Sequence, residues 1–170
     1  MSPALGSTTP ELQTPGGAVT NLSRLVGVWS LVSFSIIDET GRALLHPMGQ
    51  DPQGMLVYTA DGHMSAHLFD PNRYSPSADT APSAETADRV DVEAVTRDNA
   101  YVGYGGTFEC RGDVVVHHVR VASVPQWIAT QQVRRFELHG TVLTLCSPTM
   151  RTGGHEQTPC LVWRRLSGPA

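Results

Sequence analysis

Four polar side chains lie on predicted strand faces that are otherwise apolar. Tyr104 and His117 belong to one predicted β-hairpin, and Gln132 and Arg134 belong to the next one. Burial of a polar group costs free energy unless the group is hydrogen-bonded, so these side chains require either structural partners or a ligand. They are the candidates for chemistry in this chain.

Each of these side chains has a chemical role open to it and a structural alternative. Desolvation among valines would lower the pKa of His117 and leave a neutral imidazole that acts as a base or hydrogen-bond partner. A core histidine held by a nearby tyrosine fits the same pattern. Arg134 could stabilise negative charge on a carbonyl or enolate oxygen, or it could pair with a carboxylate or a turn carbonyl. Gln132 and Tyr104 could orient the same oxygen or be polar lining.

Strand geometry excludes a metal or catalytic site at two other pairs of histidines. His63 and His67 share a strand face, but four strand residues span about 13 Å, which is too far for one metal ion. His117 and His118 point to opposite sides of a sheet. The sequence contains no metal, nucleotide or nucleophile–base pattern, so we expect no cofactor and no metal.

Residues 54–68 predict a hairpin that turns at Asp61-Gly62. A two-residue turn pairs Thr59 with Met64. That pairing predicts an inner face made of Met55, Val57, Thr59, Met64, Ala66 and Leu68. The opposite face contains Leu56, Tyr58, His63, Ser65 and His67, and Tyr58, His63 and His67 become the site residues if the assignment is reversed.

Two further hairpins and two single strands complete the pattern. The hairpins cover residues 104–121, turning at Arg111-Gly112, and residues 128–147, turning at His139-Gly140. Their predicted inner faces contain Tyr104, Gly106, Phe108, Val115, His117, Val119 and Val121, and then Thr130, Gln132, Arg134, Phe136, Leu138, Leu143 and Leu145. The first strand, about 27–37, would meet the last, about 159–166. Trp29 would then plug one barrel end beneath an arginine of the last strand.

These eight strands predict an all-β fold, an eight-stranded antiparallel up-and-down barrel. Its interior would be filled by side chains or hold one small ligand. One helix is predicted between the third and fourth strands, from Ser83 to about Val102, as a lid or plug on a barrel end.

Composition narrows the class of protein. The 170-residue chain has a net charge of −4, which argues against nucleic-acid binding. Residues 1–20 are predicted to be a disordered tail, and residues 21–168 are predicted to form a single domain.

The three cysteines are predicted to be buried reduced thiols, with a disulfide between Cys146 and Cys160 as the alternative. The third cysteine is Cys110. Without a signal-peptide pattern or a membrane-length apolar run, we expect a soluble, cytoplasmic protein with no membrane partner.

The chain resembles the bacterial and fungal lipocalin-like domain proteins, which are small calycin-type barrels. The resemblance covers about residues 25–166 and rests on five motifs in order. Three of these are Leu-x-Gly-x-Trp-x-Leu at 25–31, Gly-x-x-x-Tyr-x-x-x-Gly-x-Met-Ser at 54–65 and Tyr-x-Gly at 104–106. The fourth is a strand that contains His117, followed by Pro-x-Trp at 125–127 and by Arg134 in the next strand. The fifth is Leu-x-Trp-x-Arg at 161–165. The resemblance implies a small hydrophobic ligand or substrate, since relatives often lie in gene clusters for specialised metabolites.

Together, the residues and the resemblance predict a cofactor-independent cyclase or isomerase for a hydrophobic, polyketide-like intermediate. The predicted catalytic residues are His117, Arg134 and Tyr104. The predicted substrate-binding residues are Gln132, Phe108, Phe136, Met55, Met64 and Trp127. The alternatives are a non-catalytic carrier of a small hydrophobic ligand, and a filled structural barrel without a cavity. We expect a monomer or homodimer.

Overall fold

The computed structural model describes residues 22–73 and 99–167. Within them, ten strands and one 3-10 turn follow a helical turn at 22–25. They are β1 Gly27–Ile37, β2 Ala43–Leu45, β3 Gln53–Tyr58, β4 His63–Phe69, β5 Tyr101–Arg111, β6 Val114–Ala122, the 3-10 turn Pro125–Trp127, β7 Gln131–His139, β8 Val142–Cys146, β9 Met150–Thr152 and β10 His155–Arg165. The predicted tail at 1–20 lies outside the described residues.

Eight of these strands close into a barrel. β1, β3, β4, β5, β6, β7, β8 and β10 are hydrogen-bonded neighbours in that order, and β10 returns to pair with β1. Every one of these pairings is antiparallel. The short β2 and β9 extend the sheet beside β1 and β10. The predicted eight-stranded up-and-down barrel is confirmed.

The first and last strands are joined by the predicted arginine–tryptophan contact, which is confirmed. The guanidinium carbon of Arg165 lies 4.0 Å from the centre of the Trp29 ring. Nη1 of Arg165 donates to the Val26 carbonyl oxygen at 2.6 Å. Gly27 has a φ of +140°, and a Cβ there would lie 2.6 Å from the same Nη1. Glycine therefore leaves the space through which Arg165 reaches the strand start.

The first hairpin is shifted by one residue from its prediction. Tyr58, rather than Thr59, pairs with Met64. The loop contains three residues instead of two, because the Thr59 amide donates to the His63 carbonyl at 2.9 Å. Gly62 takes the left-handed conformation that such a loop requires, with a φ of +84°.

The shift exchanges the two faces of β3, because side chains alternate along a strand. Met55 lies on the outside with 48% of its surface exposed, so its predicted inner position is wrong, as are those of Val57 and Thr59. Tyr58 and Leu56 point inward instead and are buried. The β4 half of the prediction is confirmed, since Met64, Ala66 and Leu68 are buried.

The other two hairpins turn one residue later than predicted, at Gly112-Asp113 and at Gly140-Thr141. Their buried faces nevertheless agree with the prediction at most positions, including His117 and Arg134. The exceptions are Val121, with 66% of its surface exposed, and Thr130, which is exposed and lies just before β7. Gly106 pairs with Val119 and Gly105 with Val121, so Arg120 forms a bulge that reverses the alternation.

The predicted end of the helix is wrong, because Tyr101 and Val102 belong to β5, where they pair with Phe69 and Leu68. The rest of that predicted helix, at 83–98, lies outside the described residues. Within residues 22–73 and 99–167, no helix is both long and apolar enough to cross a membrane.

The prediction of reduced thiols is wrong for two of the three cysteines. Cys146 and Cys160 lie directly opposite each other on β8 and β10 and form a disulfide. Cys110 is free and buried. Burial raises the pKa of its thiol to about 11.

Candidate functional site

A buried histidine lies between two buried tyrosines in the interior of the barrel. Nε2 of His117 is 2.6 Å from the Tyr58 hydroxyl, and Nδ1 is 2.9 Å from the Tyr104 hydroxyl. His117 comes from β6, Tyr58 from β3 and Tyr104 from β5, so the barrel brings together residues up to 59 positions apart. The ring of Phe108, which pairs with His117 across β5 and β6, lies 4.5 Å from the Tyr58 ring.

Burial keeps all three side chains of this Tyr58–His117–Tyr104 chain neutral near pH 7. Desolvation, helped by the charge of Arg134, lowers the pKa of His117 to about 3. Desolvation also raises the pKa of Tyr104, and raises that of Tyr58 well above its ordinary value. The chain therefore carries hydrogen bonds between neutral groups.

A neutral imidazole has one N–H donor and one acceptor nitrogen, so the chain has two arrangements. In the first, His117 donates from Nε2 to Tyr58 and accepts from Tyr104. In the second, His117 donates from Nδ1 to Tyr104 and accepts from Tyr58, which leaves the Tyr104 hydroxyl hydrogen free to donate elsewhere. Only the second arrangement presents a donor from Tyr104 to the barrel centre.

Arg134 places a positive charge in the same interior with 8% of its surface exposed. Its Nη1 donates to the Val133 carbonyl at 2.9 Å, and its Nη2 donates to Oε1 of Gln132 at 3.0 Å. Within the part of the chain that the structure describes, no carboxylate forms an ion pair with Arg134. A guanidinium has five N–H donors, so these two acceptors leave part of its donor capacity unused.

These groups border a space of about 30 Å³ at the barrel centre. That is room for about one or two water molecules. Its polar lining comes from Tyr104, His117 and Arg134, and its apolar lining includes Phe34, Leu56, Ala66, Leu68, Val102, Leu145 and Leu161. Trp127 and Trp163 complete the lining, and the Nε1 of Trp163 is buried without a hydrogen-bond partner.

The structure brings most of the sequence-predicted site residues together. His117, Arg134, Tyr104 and Trp127 border the central space, and Gln132 is half-buried beside Arg134. Phe108, Phe136 and Met64 are buried in the barrel interior without bordering this space. Met55 is the exception, because it points outward.

Two polar members of the site differ from the main sequence prediction. The Asp-Gly pair predicts a two-residue turn, which places Tyr58 on the outer face, and only the reversed face assignment makes Tyr58 a site residue. The structure agrees with the reversed assignment for Tyr58, but His63 and His67 stay on the outer face. Trp163 was read as part of a terminal motif rather than as lining. Its position follows from pairing with Leu31 and Leu143, which sequence reasoning did not predict.

The family model of the lipocalin-like domain matches residues 26–166. The chain belongs to the lipocalin-like domain family. A lipocalin-like barrel is suited to binding one small hydrophobic molecule in its interior.

Two solved structures are similar to this lipocalin-like barrel. Wild-type fluorescent protein UnaG matches with 14% identity and a TM-score of 0.34, over 85% of this chain and 99% of that one. A point mutant of UnaG matches with 13% identity and a TM-score of 0.35, over 85% and 97% of the two chains. No curated protein matches the chain.

Proposed function

We propose that this lipocalin-like barrel binds a small hydrophobic metabolite that carries a carbonyl oxygen, and promotes its cyclisation or isomerisation without a cofactor. The observation that carries the proposal is the Tyr58–His117–Tyr104 chain beside Arg134 in an otherwise apolar interior. Structural packing alone does not require a buried cation, since apolar side chains fill such a core at lower cost.

The hydrogen-bond chain supports polarisation of the carbonyl. With His117 donating from Nδ1 to Tyr104, the Tyr104 hydroxyl donates to the carbonyl oxygen of the substrate. Tyr58 in turn donates to Nε2, so each bond of the chain strengthens the next. Arg134 then stabilises negative charge that develops on the same oxygen during the reaction.

The pKa shifts favour hydrogen bonding over proton abstraction. A histidine whose pKa is about 3 is a weak base at neutral pH. Tyrosines with raised pKa values keep their protons and donate hydrogen bonds. The remaining contribution to rate comes from holding a flexible substrate in one reactive conformer, which removes much of the entropic cost of ring closure.

A substrate larger than one or two waters requires lining side chains to move. Trp127 is the lining side chain that lies outside the barrel strands, on the 3-10 turn Pro125–Trp127. Its ring packs edge-on against Tyr104 with the ring centres 5.6 Å apart. Displacement of Trp127 would enlarge the central space and expose the Tyr104 hydroxyl to the substrate.

Native mass spectrometry of the protein purified from its own organism tests the proposal. Bound small molecules are extracted, identified and incubated with fresh protein, and the products are separated by chromatography. We expect a hydrophobic carbonyl compound that is converted to a cyclised or rearranged isomer of the same mass. Recovery of the compound unchanged would support a carrier instead, and a barrel that takes up no compound would support a filled structural domain.

Variants separate catalysis from binding. Arg134→Met and His117→Phe should each abolish the conversion while the circular dichroism spectrum of the barrel is kept. Arg135→Met is the matched control, because Arg135 is exposed and pairs with Asp113 at 3.3 Å on the outside. Undiminished conversion by both Arg134→Met and His117→Phe would contradict the assigned roles.

A further inference from the structure

We propose that the ligand is bound as an anion, with a carboxylate or enolate oxygen held by Arg134. This inference rests on the proposed function only in taking the barrel centre as the binding site, and it names the chemical class that the site selects. It follows from the hydrogen-bonding and charge balance of the groups around the central space.

The polar side chains that border the space offer more hydrogen-bond donors than acceptors, and spare acceptor capacity remains on the hydroxyl oxygen of Tyr104. Both nitrogens of His117 are engaged by Tyr58 and Tyr104. Arg134 can only donate, and the buried Nε1 of Trp163 can only donate and has no partner. The Tyr104 hydroxyl donates in one of the two arrangements of the chain. A ligand that satisfies this set must present oxygen acceptors.

The charge balance selects a negative acceptor over a neutral one. Arg134 is more than nine-tenths buried, and its two described acceptors, the Val133 carbonyl and the Gln132 amide, are neutral. The three side chains of the Tyr58–His117–Tyr104 hydrogen-bond chain, whose pKa values Arg134 influences, are neutral as well. An uncompensated buried cation is costly, and an anion removes this cost, whereas a neutral carbonyl only adds a hydrogen bond.

A pair of fluorescent dyes with one aromatic skeleton tests this inference. 1-Anilinonaphthalene-8-sulfonate carries a sulfonate, and N-phenyl-1-naphthylamine is the same molecule without it. Both require the same displacement of lining side chains, so the ratio of their dissociation constants reports the charge. We expect the wild-type protein to bind the anionic dye more tightly by about tenfold or more.

Arg134→Met should remove this preference by weakening the anionic dye about tenfold or more while leaving the neutral dye unchanged. Arg135→Met, at the neighbouring outward position, should leave both dissociation constants unchanged. Trp163→Phe removes the N–H together with the five-membered ring of the indole, which enlarges the space for both dyes, so the ratio of the two dissociation constants should fall by a smaller factor than in Arg134→Met. Thermal unfolding of each variant establishes that it is folded before the dyes are compared.

The outcomes distinguish the two proposals. Equal affinity for both dyes in the wild-type protein would overturn anion selection while leaving hydrophobic binding intact. Anionic-dye affinity that is unchanged in a folded Arg134→Met or Arg134→Gln variant would overturn the assigned position. Failure of both dyes to bind would overturn the inference and count against a ligand-binding interior as well.

Discussion

At the residue scale, His117 is a buried, neutral side chain whose hydrogen-bond partners come from two other strands. Its two nitrogens are used by two tyrosines, its imidazole is 1% exposed, and the nearby charge of Arg134 adds to the cost of protonation. The stability of the protein should therefore depend on pH through this side chain.

The folded protein should become less stable as the pH falls below about 6.5. His117 takes up a proton at its ordinary pKa of 6.5 when the chain is unfolded, but only near a pKa of about 3 when it is folded. Its contribution to the free energy of unfolding is therefore complete above pH 6.5. It decreases by up to about 1.4 kcal/mol per pH unit as the pH falls towards 3.

Urea denaturation at several pH values measures this dependence. His117→Gln should flatten the decrease between pH 6.5 and 4, because glutamine does not titrate. His139→Gln is the control, since His139 is exposed at the end of β7, and it should keep the wild-type slope. Equal slopes in the wild-type and His117→Gln proteins would show that the imidazole is not buried in the neutral form.

Tyr58→Phe should cost about 1 to 3 kcal/mol in the free energy of unfolding, because it leaves Nε2 of His117 buried without a partner. Tyr101→Phe removes a hydroxyl that also lies 2.6 Å from a histidine nitrogen, that of His67 on the outer surface. Tyr101 is 47% exposed, so this loss should stay within about 0.5 kcal/mol. Chemical denaturation compares the two variants, and equal losses would contradict the importance of burial.

At the element scale, the site depends on how strands are joined and closed. One extra loop residue between β3 and β4 brings Tyr58 into the interior, and one bulge at Arg120 takes Val121 out. The barrel is closed by β1 and β10, where Arg165 lies over Trp29. That closure holds together the strands that carry Phe34, Leu161 and Trp163 of the cavity lining.

Arg165→Lys should lower the free energy of unfolding by about 1 to 2 kcal/mol. Lysine keeps the charge but loses the planar guanidinium that stacks on Trp29 and donates to the carbonyls of Val26 and Arg24. Arg164→Lys, at the adjacent exposed position, should change stability by less than about 0.5 kcal/mol. Thermal and urea unfolding measure both, and an Arg165→Lys variant as stable as the control would contradict the role given to this contact.

At the scale of the whole molecule, a disulfide reinforces the closed sheet. Cys146 and Cys160 connect β8 to β10 and are 14 positions apart in the sequence. A cross-link restricts the unfolded chain, and a loop of this length corresponds to about 3 kcal/mol in the chain-entropy description.

Replacement of both Cys146 and Cys160 by serine should therefore lower the free energy of unfolding by about 2 to 3 kcal/mol without changing the barrel. Thiol titration of the unfolded, non-reduced protein should detect only Cys110. In the folded protein Cys110 should react slowly, since it is buried and its pKa is raised to about 11. Detection of three thiols before reduction would contradict the disulfide.

The sequence by itself determined the barrel and most of its inner surface. Alternation along the strands identified the inward positions of His117 and Arg134, because a period of two follows directly from strand geometry. The Gly-x-Trp start and the Trp-x-Arg end predicted the closure, because a glycine, an indole and a guanidinium have few other reasons to occupy these positions at the two ends of one sheet.

Only the tertiary structure decided the hydrogen-bond partners and the remaining space. A turn dipeptide does not fix whether its loop has two or three residues, and that single residue moved Tyr58 to the interior and Met55 to the surface. The disulfide, the unpartnered Trp163 N–H and the lack of a described carboxylate beside Arg134 all depend on side chains that meet across the barrel. Local sequence carries the alternation of a strand, whereas register and barrel closure arise from contacts between distant segments.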